Sequence, residues 1–255
     1  MLSRVKLCLG AAATAVVLTI STAASAVTVD LSVDRFQREE LGAKAGAVSS
    51  FLNGVSIKGQ ETFESHKAWD GHSGSTNPQQ TKVGSFSSFG AKGSGQSVIG
   101  DTSKLQVRAD DTMPWGRYST SGAALGGHWL DSNDNLGVRW EISGLGKFDT
   151  LAFSVLDAAD VGGKFSIKVG DTLYSNLAGA DGKLANGNIQ LVRIMLSEAV
   201  SKLTVELMHD RTNDGFGIDG AAVGLAPVPL PPAALLLGTG LVALVGLRRR
   251  RAANA

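Results

Sequence analysis

The side chains between residues 27 and 226 offer little reactive chemistry, and oxygen-rich cation binding has the most residues behind it. Asp131, Asn133 and Asn135 place side-chain oxygens at alternate positions within Asp131-Ser132-Asn133-Asp134-Asn135-Leu136-Gly137, the spacing at which a calcium loop presents its first three ligands. The pattern stops there, because Leu136 stands where such a loop needs glycine and Ile142 where it needs a bidentate glutamate. A second run, His209 to Gly220, could add oxygens from a neighbouring loop through Asp210, Asn213, Asp214 and Asp219. Calcium held by Asp131, Asn133, Asn135, Asp214 and Asp219 is therefore the one cofactor the sequence suggests. Turn formation accounts for the same residues, since Asn and Asp hydrogen-bond their own backbone and tolerate positive φ.

Other chemistries find fewer residues. His66, His72, His128 and His209 include no pair at i, i+4, so they form no zinc motif on one helical face. No G-x-S-x-G elbow occurs, and Cys8 is the one cysteine in the chain. Gly90 to Ser97 resembles a phosphate loop only until Gln96, which stands where the lysine should be. Glu61, Glu64 and Glu141 are the carboxylates a polysaccharide hydrolase would have to pair. Trp69, Trp115, Tyr118 and Trp129 fall in Gly-rich, loop-like surroundings and could stack on sugar rings, whereas Trp140 sits in a strand pattern that suits a core.

The elements that must position these groups read as short strands. Val138, Trp140 and Ile142 alternate with polar residues, as do Phe165, Ile167 and Val169, and Leu203, Val205 and Leu207. Leu151 to Leu156 is more evenly apolar and suits an inner strand, and Ile189 to Leu196 is apolar on both faces. Lys82–Phe89, Ser97–Ile99 and Leu105–Ala109 are weaker strand candidates. Gly144 to Lys147, Asp160 to Gly163 and Gly170-Asp171 read as hairpin turns. One helix is predicted near the start, from Phe36 to Leu52, with Asp34 and Gln37 as its capping pair and Asn53-Gly54 as its stop. The fold class expected is mainly β: an antiparallel β-sandwich, with a barrel as the alternative.

Both ends of the 255-residue chain read as addresses and not as fold. Met1 to Ala26 has the order of a secretory signal: Arg4 and Lys6, an apolar run from Leu7 to Ile20, and the small residues Ala24 and Ala26 at a cleavage site. Residues 27–226 form one domain-sized ectodomain. Without Arg4, Lys6 and Arg248 to Arg251, 18 bases remain against 23 acids, a formal charge of −5 that argues against nucleic acid as a partner. Once Cys8 leaves with the signal, no cysteine remains for a disulfide, so a packed core must supply the stability.

Residues 227–255 hold a proline motif, an apolar run from Pro231 to Leu247, and four arginines at 248–251. The run is at the short end of membrane-spanning length, and the arginines would stay in the cytoplasm. The precursor would then be a single-pass inner-membrane protein with a periplasmic ectodomain.

Val228-Pro229-Leu230-Pro231-Pro232, followed by the apolar run and Arg248, Arg249, Arg250 and Arg251, resembles a PEP-CTERM sorting signal of the VPLPA variety, found in Gram-negative bacteria. Pro232 departs from that variety, which usually has alanine there. The resemblance covers about the last 28 residues, and it implies recognition by an exosortase after the secretion translocon and signal peptidase have acted. It further implies a role at the cell surface or in the extracellular matrix, in association with exopolysaccharide and biofilm. Asp214 to Val223 resembles the closing strand of galactose-binding-like jelly rolls, which implies a jelly-roll ectodomain. The expectation is a non-enzymatic exported surface protein, with an extracellular polysaccharide hydrolase as the alternative.

Overall fold

A computed structural model of the chain describes residues 26–109, 115–121, 127–177 and 182–227. Its elements are β1 (Val29–Phe36), a 3-10 turn (Arg38–Glu40), α1 (Leu41–Phe51), β2 (Ser56–Glu61), β3 (Ser75–Thr76), β4 (Gln79–Thr81) and β5 (Gly84–Phe89). These are followed by β6 (Leu105–Arg108), β7 (Trp129–Asp131), β8 (Gly137–Leu156), β9 (Phe165–Val169), β10 (Thr172–Tyr174), β11 (Ile189–His209) and β12 (Gly217–Leu225). Every strand pair is antiparallel.

The two longest strands, β8 and β11, pair with each other along their length and determine the architecture. Trp140 and Phe153 both belong to β8, and an extended chain would hold them about 43 Å apart at ~3.3 Å per residue. Their ring centroids lie 5.6 Å apart. β8 must therefore fold back on itself, and β11 turns with it, because the ladder slips register between Met195 and Lys202. Gly144 and Gly146 occupy the bend with φ of 78° and 74°, values that glycine adopts without steric penalty. One sheet thus becomes two facing layers, the sandwich expected from the strand pattern.

The first layer holds the N-terminal half of β8 and the C-terminal half of β11, flanked by β5 and by β9 with β10. The second layer holds their other halves, flanked by β1 and by β12, which pairs onward with β2 and β7. Between the layers, Trp140 stacks on Phe86 at 5.2 Å, and Phe165 meets Phe216 edge-on at 5.4 Å. Burial of these rings drives the collapse, at about 1.5–3 kcal/mol per large apolar side chain. Outside the second layer, Leu41, Tyr118, Trp129, Leu156 and Ile189 form a second apolar cluster on the side that carries α1. This explains why 151–156 and 189–192 are buried on both faces.

Several local expectations change. Gly144 to Lys147 is a bend within one strand, because the ladder to β11 resumes beyond it. Asp160 to Gly163 joins β8 to β9, which pairs with β11 and β10 instead; Gly170-Asp171 does close a hairpin, between β9 and β10. Phe36 ends β1 opposite Ile189, so helical structure begins two residues later, and Asp34 pairs with Arg193 at 2.8 Å instead of capping. Glu40 accepts from the Gln37 backbone N–H at 2.7 Å in its place. Residues 97–99 are not a strand, since Ile99 bonds through its N–H and C=O to the Asn133 side chain. Among the described residues no helix is long and apolar enough to cross a membrane; the run predicted to span, 231–247, lies outside them.

Candidate functional site

Because β8 and β11 fold back, the loops leaving β5, β7, β8 and β11 gather at one end of the sandwich. Backbone bonds tie them together: Ser94 N to Thr212 O at 2.7 Å, Ser132 N to Phe216 O at 2.9 Å, and His209 N to Leu136 O at 2.8 Å. The segments after β5, β8 and β11, with those before β7 and before β11, enclose an open cleft of about 530 Å³ whose lining includes Gln96, Trp115, Arg117, Asp157, Asp160, Asn186, Asn213 and Asp214.

Arg117 is the cation at its base. Nη1 donates to Asp131 Oδ1 at 2.7 Å and Nη2 to Asp134 Oδ1 at 3.3 Å, and all three side chains are buried. Burial opposes the guanidinium charge, but Asp131, Asp134 and Asp157 outweigh it and hold the Arg117 pKa above its ordinary value. Asp134 also accepts from Ser97 Oγ at 2.5 Å, yet burial dominates and raises its pKa. Gly95 and Gly215 permit this crowding, because a Cβ on either would run into the Asp134 carboxylate.

Asp157, Asp160 and Asp214 make an acidic wall. Asp157 follows β8 with φ of 58° and accepts from Gly187 N at 2.6 Å. Burial, with Asp160 beside it, pushes its pKa up to about 8. Asp160 is pushed up to about 6, by burial first and then by the Asp214 carboxylate beside it. Asp214 is 2% exposed, and no N–H is aimed at either of its oxygens. His209 Nε2 stands 3.0 Å from Oδ2 but outside hydrogen-bond geometry. The wall holds more acceptors and more potential negative charge than the protein satisfies, an arrangement suited to a cationic or donor-rich ligand.

The residues proposed for calcium are divided among three settings. Asp131 is bonded to Arg117. Asn133 donates to the carbonyls of Ile99, Asp101 and Lys104 at 3.1–3.3 Å, and Asn135 to Ser132 O at 2.7 Å. Asn133 and Asp134 have φ of 54° and 57°, so the loop does use this Asn and Asp as turn residues. Asp219 lies elsewhere, near the buried Lys44 of α1, and accepts from Thr120 N at 2.5 Å, Gly220 N at 2.7 Å, Ser119 Oγ at 3.1 Å and Ser121 Oγ. Asp214 alone of the five lines the cleft. Among the described residues no group of three His, Cys, Asp or Glu is placed to hold a metal ion.

Of the proposed hydrolase carboxylates, Glu61 is filled by Phe63 N, Lys82 N and His66, and Glu64 accepts from His128 N at 2.8 Å. Glu141 borders a different cleft, beside Lys202. Among the aromatics, Tyr118 and Trp129 are core, while Trp115 lines the acidic cleft. Ala26 precedes β1. Ala24, Val228, Pro229, Leu230, Pro231, Pro232 and Arg248 to Arg251 lie outside the described residues.

Sequence reasoning missed Arg117, Asp157 and Asp160 as site residues. A signal was present in Asp157 and Asp160, which stand directly after the most apolar strand, where a chain leaving a core often carries function.

No family model matches the chain, and no curated protein matches it. Among solved structures it is similar to the K2 cleaved adhesin domain of Lys-gingipain, at 8% identity and a TM-score of 0.38 over 66% of this chain and 97% of that one. It is also similar to a Podospora anserina GH26-CBM35 β-(1,4)-mannanase, at 12% identity and a TM-score of 0.31 over 69% of this chain and 29% of that one. This chain thus spans under a third of the mannanase's length. Neither likeness is deep enough to carry an argument about this chain.

Proposed function

We propose that this chain is an exported bacterial surface protein whose jelly-roll-like ectodomain associates with glycan and whose C-terminus is a PEP-CTERM-type signal processed by an exosortase. One observation carries the reading: the string of proline motif, apolar run and four arginines at 228–251 follows directly on β12, which ends at Leu225. A signal peptide cut after Ala26 leaves Val27 and Thr28 before β1. All twelve described strands and both core clusters then belong to the exported part. The apolar run serves as the transmembrane hold of a single-pass precursor, and the prolines beside it, which cannot continue a helix, suit the substrate of a processing enzyme. Trp115 and the amide side chains of the cleft support the glycan role.

Mass spectrometry of the mature C-terminus tests the sorting. The expected product ends within or beside Val228–Pro231, and a full-length product retaining Arg248–Arg251 in an exosortase-positive strain would overturn it. A pull-down of the 27–226 fragment on the producer's own polysaccharide tests the glycan role; retention no better than on an unrelated polymer would remove it.

A second reading, an extracellular polysaccharide hydrolase, is favoured by one observation: Asp157 and Asp160 sit in an open cleft with pKa values raised to different levels. Release of reducing ends that is lost in Asp160→Asn would support it.

A further inference from the structure

The acidic cleft points to a ligand of definite charge. We infer that it recognises an amino sugar with a free ammonium group, so that the glycan bound is a cationic, not fully N-acetylated polysaccharide. The inference rests on the glycan reading and specifies its substrate class.

Charge makes the first case. Arg117 is the single cation among the described lining residues, and it is already engaged by Asp131 and Asp134. Asp157 and Asp160 feel Arg117 only through space, and His209 stands beside Asp214 outside hydrogen-bond geometry, so no cation is hydrogen-bonded to the three carboxylates. The second case is independent of that clustering: Asp214 is 98% removed from solvent, lines the cleft, and has two carboxylate oxygens with no N–H donor. A buried carboxylate without donors is costly unless a ligand supplies them, and an ammonium group supplies charge and three N–H bonds together. Its charge would also favour the ionised forms of Asp157 and Asp160, whose pKa values burial raises.

The shape separates a sugar from a bare metal ion. No three carboxylate or imidazole groups converge for a metal among the described residues, and a single ion would fill a small fraction of about 530 Å³. Around the acidic wall stand Trp115, an aromatic of the kind that packs on sugar rings, and Asn186, Asn213 and Gln96, which both donate and accept as hydroxyl groups require.

Calorimetric titration of the 27–226 ectodomain with a glucosamine oligosaccharide, its fully N-acetylated counterpart and calcium chloride tests this. The expected result is binding of the amine form at least about tenfold tighter than the acetylated form, the worth of one charge-assisted hydrogen-bonded contact. Asp160→Asn, shown to be folded by its circular dichroism spectrum, should lose that preference. Trp115→Ala should weaken both forms. Equal affinity for the two oligosaccharides overturns the inference and leaves the glycan reading standing, as does binding of the producer's polysaccharide but of neither oligosaccharide. Calcium that binds and displaces the amine form also overturns it, by making the cleft a metal site. Failure to retain even the polysaccharide removes the glycan reading itself.

Discussion

Arg117 Nη1 stands 2.7 Å from Asp131 Oδ1, and both side chains are buried. Removing one member of a buried pair leaves the other charge uncompensated, typically at about 3–5 kcal/mol. Arg117→Ala should therefore destabilise the ectodomain by about that amount in denaturant unfolding. In an Asp131→Asn, Asp134→Asn background the same change should cost markedly less, because the stranded charges are gone. Additive losses would show that the three groups do not act as a unit.

Asp157 and Asp160 set a pH dependence of stability. Their folded pKa values, about 8 and about 6, lie above the ordinary 3.8. The folded state therefore holds these protons more tightly than the unfolded chain does. Stability from this source is full below about pH 4 and is lost as the pH rises through 6 and 8. Thermal melts should give a higher Tm near pH 5 than near pH 8, and Asp157→Asn should raise the Tm near pH 8 and narrow the difference. An Asp157→Asn profile parallel to wild type would refute the assignment.

Glycine substitutions should divide by surroundings. Gly215→Ala drives a methyl group into the Asp134 carboxylate and Arg117, and should cost about 1–3 kcal/mol. Gly46→Ala, inside α1 with nothing within 4 Å of the added carbon, should stabilise by about 0.5–1 kcal/mol. Urea midpoints of the two variants should move in opposite directions.

Trp140 stacks on Phe86 of its own layer, meets Phe153 of the other edge-on, and donates Nε1–H to Val83 O at 2.9 Å. Trp140→Ala should cost about 3–5 kcal/mol. Trp140→Phe keeps most of the ring contact but leaves the Val83 carbonyl unpaired, at a further cost of about 1–3 kcal/mol. Chemical unfolding of the pair separates packing from the hydrogen bond.

Much of the β architecture was legible because a half-buried strand must alternate. The runs at 138–142, 165–169 and 203–207 all fall in strands, and the double-sided apolarity of 189–192 matches its burial between two clusters. The N-terminal strands were harder to read, since β2 (Ser-Ile-Lys-Gly-Gln-Glu) is largely exposed and pairs only with β12, so solvent exposure blurs its pattern. Gly144 to Lys147 signalled a turn by local chemistry, and whether the chain reverses or merely bends there depends on its ladder to β11.

The sequence by itself determined the class of fold and the apolar faces, because these follow from local composition and periodicity. Tertiary structure alone decided the candidate site. Asp157 and Asp160 follow β8 three residues apart, but Asp214 lies more than fifty residues further along the chain. Only the folding back of β8 and β11 brings their loops to one end, and only burial there, with Arg117 engaged elsewhere, turns ordinary aspartates into an acidic wall.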